Sequence, residues 1–87
     1  MTYKQAVKHC KYWADQIRAD GLDLLTTDYG AAIGVSDKLA YPLDMQEWIS
    51  APRYPDIYAI RYYAGVVDHD HTDRASWEKL LELIDKL

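Results

Sequence analysis

The chain has 87 residues, of which 49% are hydrophobic and 28% are charged, and its formal net charge at pH 7 is −4. A chain of this length forms one domain, residues 1–87, and its evenly spread apolar residues argue against intrinsic disorder. It has no apolar run typical of a transmembrane helix or a signal peptide, and its single cysteine, Cys10, indicates a reduced, cytoplasmic location without disulfides.

The N-terminal segment carries the clearest helical pattern. Apolar residues recur there at steps of three and four, which predicts an amphipathic helix over residues 2–20. Thr2 and Gln5 fit a capping box at its start, and Gly21 fits a stop at its end. The opposite face of this helix carries three cations: Lys4, Lys8 and Lys11.

The segment that follows favours strands. Residues 31–35 and 39–43 alternate in a way that predicts two strands of a hairpin. Pro42 cannot donate to a sheet ladder, so it indicates an edge strand or a strand end. Residues 22–27 fit either a further strand or a connector. A short helix is predicted over residues 44–49, before prolines break the chain.

Residues 57–67 fit two periodicities. With a period of two, Tyr58 and Tyr62 share one face of a strand and Tyr63 points the other way. A helical reading instead aligns Ile57, Ile60, Ala64 and Val67. The strand is the preferred prediction, because Tyr, Ile and Val favour strands and Gly65 disfavours a helix interior.

The C-terminal segment predicts a second amphipathic helix over residues 73–86, capped by Thr72 or Asp73. Its apolar stripe consists of Trp77, Leu80, Leu81, Ile84 and Leu87. The elements together predict an α+β fold. This fold is a small two-layer sandwich in which the N- and C-terminal helices pack on a short antiparallel β-sheet.

The aromatic residues are unusual, since the chain has eight Tyr, three Trp and no Phe. Tyr, Trp and Arg are the residue types most enriched at binding hot spots. Their densest group supplies the candidate partner-binding residues: Arg53, Tyr54, Tyr58, Arg61, Tyr62 and Tyr63. The alternative is that these rings fill a small core and extend their hydroxyls to its edge.

The densest polar cluster runs from Asp68 to Asp73. His69 and His71 are candidate metal ligands or an acid–base pair, which would make the chain an enzyme. A zinc site needs three or four protein ligands, and the sequence has no matching remote set. A solvated loop is therefore the favoured interpretation, and no catalytic residue, metal or cofactor is assigned. Asp68, Asp70 and Asp73 also form a candidate acidic patch for a protein partner.

Nucleic-acid binding is a further alternative. Lys4, Lys8 and Lys11 share one helix face and would give some affinity for phosphates. An acidic chain is nevertheless an unusual nucleic-acid binder, because such domains are typically far more basic. A protein is therefore the expected partner, and neither nucleic acid nor a membrane is.

In size, acidity and lack of catalytic motifs, the chain is similar to the small accessory proteins of phages and other mobile elements. Some of those proteins inhibit host defence systems, as anti-CRISPR and anti-restriction proteins do. The similarity is compositional, so it implies a class of activity and no residue roles. The resulting hypothesis is a cytoplasmic protein-interaction module that inhibits or regulates a partner. A homodimer is compatible with so small a domain.

Overall fold

The computed structural model describes residues 2–44 and 53–87, and most of this part of the chain lies in five helices. They are α1 (Tyr3–Asp20), α2 (Leu22–Thr27), α3 (Tyr29–Asp44), α4 (Pro55–His69) and α5 (Arg74–Asp85). The described residues are 86% helical and contain no strand, so the predicted α+β sandwich is wrong. The short helix predicted over 44–49 lies outside the described residues, except for Asp44 at the end of α3.

Helix α1 confirms the N-terminal prediction together with its caps. The hydroxyl of Thr2 accepts from the Gln5 N–H (3.2 Å), and the Gln5 side chain accepts from the Thr2 N–H (2.8 Å). Gly21 ends the helix at a φ of 87°, a conformation that glycine adopts without steric cost. The predicted stripe faces the core through Ala6, Cys10, Ala14 and Ile17.

Helix α5 confirms the C-terminal prediction. Asp73 caps it, because its carboxylate accepts from the N–H of Ser76 (3.2 Å) and from the Ser76 hydroxyl (2.7 Å). Trp77, Leu80 and Ile84 are buried along one face. Each terminal helix is thus defined by a local cap and by apolar residues that recur at the helical period.

The predicted hairpin over 31–43 is wrong, because these residues belong to the single helix α3. The Asp28 carboxylate accepts from the Ala31 N–H (3.1 Å) and so caps the first turn of the helix. The buried residues recur at steps of one, three and four: Ala32, Val35, Ser36, Leu39, Ala40 and Leu43. Residues 22–27, predicted as a strand or connector, form the short helix α2.

Pro42 lies inside α3, where a proline normally breaks a helix. A residue with an N–H at position 42 would donate to the carbonyl of Lys38, four residues earlier. Proline has no N–H, and Nε2 of His9 lies 2.5 Å from that same carbonyl oxygen. The ring nitrogen of His9 therefore donates to the Lys38 carbonyl that Pro42 leaves without its helical partner.

This arrangement predicts a specific coupling between His9 and Pro42. We expect His9→Ala to lower the free energy of unfolding by about 1 kcal/mol, the typical net value of one hydrogen bond. In a Pro42→Ala background the cost should fall to less than half, because the alanine introduced there supplies the missing N–H itself. Urea unfolding of the four proteins in a double-mutant cycle measures this coupling. An equal cost in both backgrounds would contradict the pairing.

The predicted strand over 57–67 is also wrong, because α4 covers this stretch. Pro55 stands in its first turn, where the fixed φ of proline favours a helix and its missing N–H is not needed. The buried residues are those of the alternative helical reading: Ile57, Ile60, Ala64 and Val67. The strand propensity of Tyr, Ile and Val is overridden by burial of this stripe.

The core is aliphatic and lies among all five helices. Helix α4 packs most extensively on α3 and also on α5, while α1 lies against α3 and α5. None of the eight tyrosines is buried, and Trp77 is the one fully buried aromatic side chain within residues 2–44 and 53–87. The hydroxyl-bearing rings therefore remain at the surface.

In the two described ranges, no helix combines the length and the apolar character that crossing a bilayer requires.

Candidate groove and tyrosine surface between α3 and α4

The predicted partner-binding residues divide into two groups along α4. Tyr58 and Tyr62 lie one helical turn apart on its outer face, with exposed fractions of 40% and 52%. Tyr63 is partly buried against the core, and its ring meets that of Tyr62 edge to face at 5.2 Å. Tyr58 and Tyr62 thus share an exposed face that Tyr63 does not join.

The other group lies where α4 begins. Tyr54 is partly buried, and its ring stacks on that of Tyr3 with centroids 5.0 Å apart. The guanidinium of Arg53 lies 5.4 Å from the Tyr54 ring centroid. The Tyr3 hydroxyl donates to the Asp56 carboxylate, and this hydrogen bond raises the pKa of Tyr3. Arg53 and Tyr54 therefore belong to a contact that fixes α1 to the start of α4.

A groove with a volume of about 380 Å³ lies between α3 and α4. Its aromatic walls are Tyr41 of α3, which is 54% exposed, and Tyr62 of α4. Gly65 lines the groove without a side chain. Arg61 and His69 border it as well, and Arg61 is engaged in an interaction within the fold. The groove thus joins the exposed face of α4 that bears Tyr58 and Tyr62.

Polar side chains meet at one end of the groove. The Asp68 carboxylate accepts from the hydroxyl of Ser36 (3.0 Å) and from that of Tyr41 (3.2 Å). Ser36 is fully buried, and this bond satisfies its hydroxyl. The bond to Asp68 raises the pKa of Tyr41. Asp68 therefore connects the two helices and also orients one wall of the groove.

A second carboxyl group, that of Asp37, stands beside Asp68. A hydrogen bond between the two carboxyls raises the pKa of Asp37 and lowers that of Asp68, and the Ser36 and Tyr41 hydroxyls lower the latter further. The pKa values of two carboxyls in contact move apart in this way because one carboxyl holds its proton more tightly than the other. Once both are ionised, negative charge is concentrated at this end of the groove.

The three carboxylates of the predicted acidic patch make different contacts. Asp68 belongs to the groove, whereas Asp70 accepts from the N–H and hydroxyl of Thr72 (3.1 and 2.5 Å) and Asp73 caps α5. The bonds from Thr72 lower the pKa of Asp70. The latter two carboxylates therefore shape the turn between α4 and α5.

The two histidines of this turn have different surroundings. His69 borders the groove, while Nδ1 of His71 lies 3.1 Å from the carbonyl oxygen of Leu25 and its ring meets Tyr29 edge to face at 5.4 Å. The backbone carbonyl of His71 accepts from the indole of Trp77 (2.9 Å). Within the described residues, no group of three His, Cys, Asp or Glu side chains is placed to hold a metal ion.

The basic face of α1 is exposed at Lys4, Lys8 and Lys11, as its spacing predicts. Arg18, further along the same helix, forms an ion pair with Asp85 of α5 at 2.6 Å. Nucleic-acid binding through this face stays a prediction.

Sequence reasoning missed the α3 residues that meet Asp68 beside the groove, namely Ser36, Asp37 and Tyr41. It placed the first two in a turn and the third in an edge strand. The signal that could have found them is Asp28, a helix cap three residues before Ala31, followed by buried residues at helical steps. Read as a helix, that segment places Ser36 and Ala40 on one face.

The fold and the groove define a small helical protein, over its described residues, with an aromatic groove that is acidic at one end. No known protein family, curated protein or solved structure matches the chain. The function is therefore inferred from the geometry of this surface.

Proposed function

We propose that this chain is a small protein-interaction module that binds a partner protein through its α3–α4 side. The binding region is the tyrosine surface, defined here as Tyr41, Tyr58, Tyr62 and the groove. The observation that carries the proposal is that these three tyrosines are 40–54% exposed and that two of them, Tyr41 and Tyr62, line a groove. Exposed Tyr rings bind partners well because they are large, amphipathic and lose little conformational entropy.

The surroundings of Ser36 favour binding over catalysis. Ser36 is the serine nearest the acidic pair, but its side chain is fully buried and its hydroxyl donates to Asp68. A nucleophile has to reach its substrate, and the groove is lined by Tyr41, Asp68 and His69 without Ser36. Ser36 therefore supports the position of Asp68.

The mode of action follows from the size of the molecule, whose extents are 34 × 21 × 19 Å. A body of this size acts on a larger protein by covering part of its surface. The compositional similarity to phage inhibitors of host defence supports blockade as the consequence of binding. Inhibition is thus part of the proposal, and the identity of the partner is what the experiment supplies.

The test is affinity capture from the cell type of origin with three forms of the protein. We expect Tyr58→Ala/Tyr62→Ala to lose a protein that the wild type captures, because hot-spot tyrosines each contribute about 1–2 kcal/mol, or roughly ten-fold in affinity. Alanine is a good helix former, so the variant should stay folded, as circular dichroism will check.

The matched control is Tyr12→Ala/Tyr29→Ala, which removes two tyrosines from α1 and α3 that are even more exposed, at 57% and 59%. It should capture the same protein as the wild type. Capture that survives in the Tyr58/Tyr62 variant, or that is lost equally in both variants, would contradict the tyrosine surface. Capture of no protein above the background of an empty matrix would contradict the interaction function itself.

A further inference from the structure

The groove combines three features that together select a type of side chain. Two exposed rings, those of Tyr41 and Tyr62, form its walls, and Ala40, Gly65 and Val66 supply apolar backing. Asp68 lies at its end, with Asp37 beside it. A ligand that fits needs an apolar stem, a face for aromatic rings and a positively charged head.

We propose that the groove receives an arginine or lysine side chain of the partner protein, with its aliphatic stem against Tyr41 and Tyr62 and its cationic head at Asp68. This proposal rests on the proposed function and specifies the partner's contact residue. It also gives the groove a role distinct from that of Tyr58, which lies outside it.

Charge is the first argument for a cation. Asp68 accepts from the hydroxyls of Ser36 and Tyr41, which are neutral donors, while the neighbouring His69 offsets part of its charge and lowers the pKa of Asp68. Among the described residues, neither Asp37 nor Asp68 takes part in a salt bridge to Lys or Arg, whereas Asp23 and Asp85 both do. A guanidinium or ammonium group between the two carboxylates relieves their repulsion and makes charge-assisted hydrogen bonds.

The aromatic walls are the second argument. A cation near the face of a Tyr ring is attracted by its quadrupole, and Arg and Lys bury their methylene stems along such rings. The Tyr41 hydroxyl is held by Asp68, so this ring is fixed beside the carboxylate. The same residue therefore offers a wall to the stem and borders the site of the charged head.

The size of the groove is the third argument. A volume of about 380 Å³ lies near the lower end of the range for ligand pockets, roughly 300–1,000 Å³. It suits one long side chain with its neighbouring backbone better than a broad protein surface. Arg61 and His69 also border the groove, so the cationic head is assigned to Asp68 and not to the groove as a whole.

The test is direct binding of two blocked tripeptides, acetyl-Leu-Arg-Leu-amide and its analogue with citrulline, which has the shape of arginine without its charge. Chemical-shift titration of the labelled protein reports both the affinity and the place of binding. We expect the arginine peptide to shift the amides of Tyr41, Gly65 and Asp68 and to bind about five-fold more tightly than the citrulline peptide.

Asp68→Asn should abolish that preference, and Asp37→Asn is a second variant in case the first fails to fold. Asp20→Asn, an exposed carboxylate at the far end of α1, changes the net charge equally and should leave the preference intact. A second cleft lies between α1 and α5 and is lined by Lys11, Asp15, Arg18 and Asp85. Equal affinity of the two peptides for the wild type, or shifts confined to that cleft, would overturn the proposal.

The two proposals fail in different ways. If a captured partner depends on Tyr58 and Tyr62 but binds Asp68→Asn as well as wild type, the interaction function stands and the cation site is wrong. If the arginine preference holds in solution but no partner depends on the tyrosine surface, the groove is a cation site and the interaction function is wrong.

Discussion

Replacing Trp77 with alanine is expected to lower the free energy of unfolding by about 3–5 kcal/mol, the usual cost of removing a buried tryptophan. Its side chain is fully buried, and its indole N–H donates to the His71 carbonyl at 2.9 Å. The substitution therefore removes the largest buried ring and also the bond that ties α5 to the turn before it. For a domain with a total stability of about 5–15 kcal/mol, this is a large fraction.

A graded series separates the two contributions. Trp77→Phe keeps most of the apolar volume but cannot donate to the His71 carbonyl, so we expect a loss of about 1–2 kcal/mol. Trp13→Ala removes a ring that is only partly buried and should cost less than Trp77→Ala. Urea unfolding followed by circular dichroism measures all three. A cost below about 1 kcal/mol for Trp77→Ala would show that α5 does not depend on this ring.

The terminal helices could be predicted because their signals are local. The Thr2–Gln5 box and the Asp73 cap each lie within three residues of the N–H groups they satisfy. The apolar residues next to these caps fit the helical period and do not also fit the period of a strand. For such segments, the sequence pattern and the tertiary packing point to the same structure.

The middle of the chain could not be predicted in the same way because its local signals conflict with its packing. Residues 39–43 alternate like a strand, and Pro42 looks like a strand end. The Lys38 carbonyl that this proline leaves without a helical partner is contacted by His9, 29 positions earlier. A hydrogen bond over that separation cannot be predicted from neighbouring residues. Strand propensity therefore decided the prediction for this segment.

The prediction of the candidate site was limited for the same reason. Tyr58 and Tyr62 were identified from composition, and they are exposed in a helix as they would be on one face of a strand. Ser36 and Tyr41, however, meet Asp68 across 32 and 27 positions, and they do so because both segments are helical. The error in the secondary structure of α3 therefore hid Tyr41 and the contacts of Asp68, although Tyr58 and Tyr62 of α4 were still identified.

Cys10 is expected to react with a thiol reagent at pH 8 at least about 1,000-fold more slowly in the native protein than in urea. Burial raises the pKa of this thiol to about 12, and the Asp56 charge adds to the shift. The reactive species is the thiolate, and a thiol with an ordinary pKa near 8.5 is about a quarter ionised at pH 8. A pKa of about 12 reduces that fraction to roughly one in ten thousand.

The sign of the pH effect follows from the same shift. A raised pKa in the folded state stabilises the protein at pH values below the unfolded pKa. That contribution is lost as the pH rises from about 8.5 towards 12. The loss of stability over this range should be smaller in Cys10→Ala than in the wild type, and urea unfolding at pH 8 and pH 10 measures the difference.

Labelling of Cys10 also reports on Trp77, because a fully buried thiol reacts when the structure opens. If opening is global, a loss of about 3 kcal/mol in Trp77→Ala raises the labelling rate by about 150-fold. Tyr12→Ala, which changes an exposed ring on the same helix as the thiol, should leave the rate unchanged. Native labelling as fast as in urea would show that Cys10 is accessible in the folded state. An unchanged rate in Trp77→Ala would show that α1 opens independently of α5.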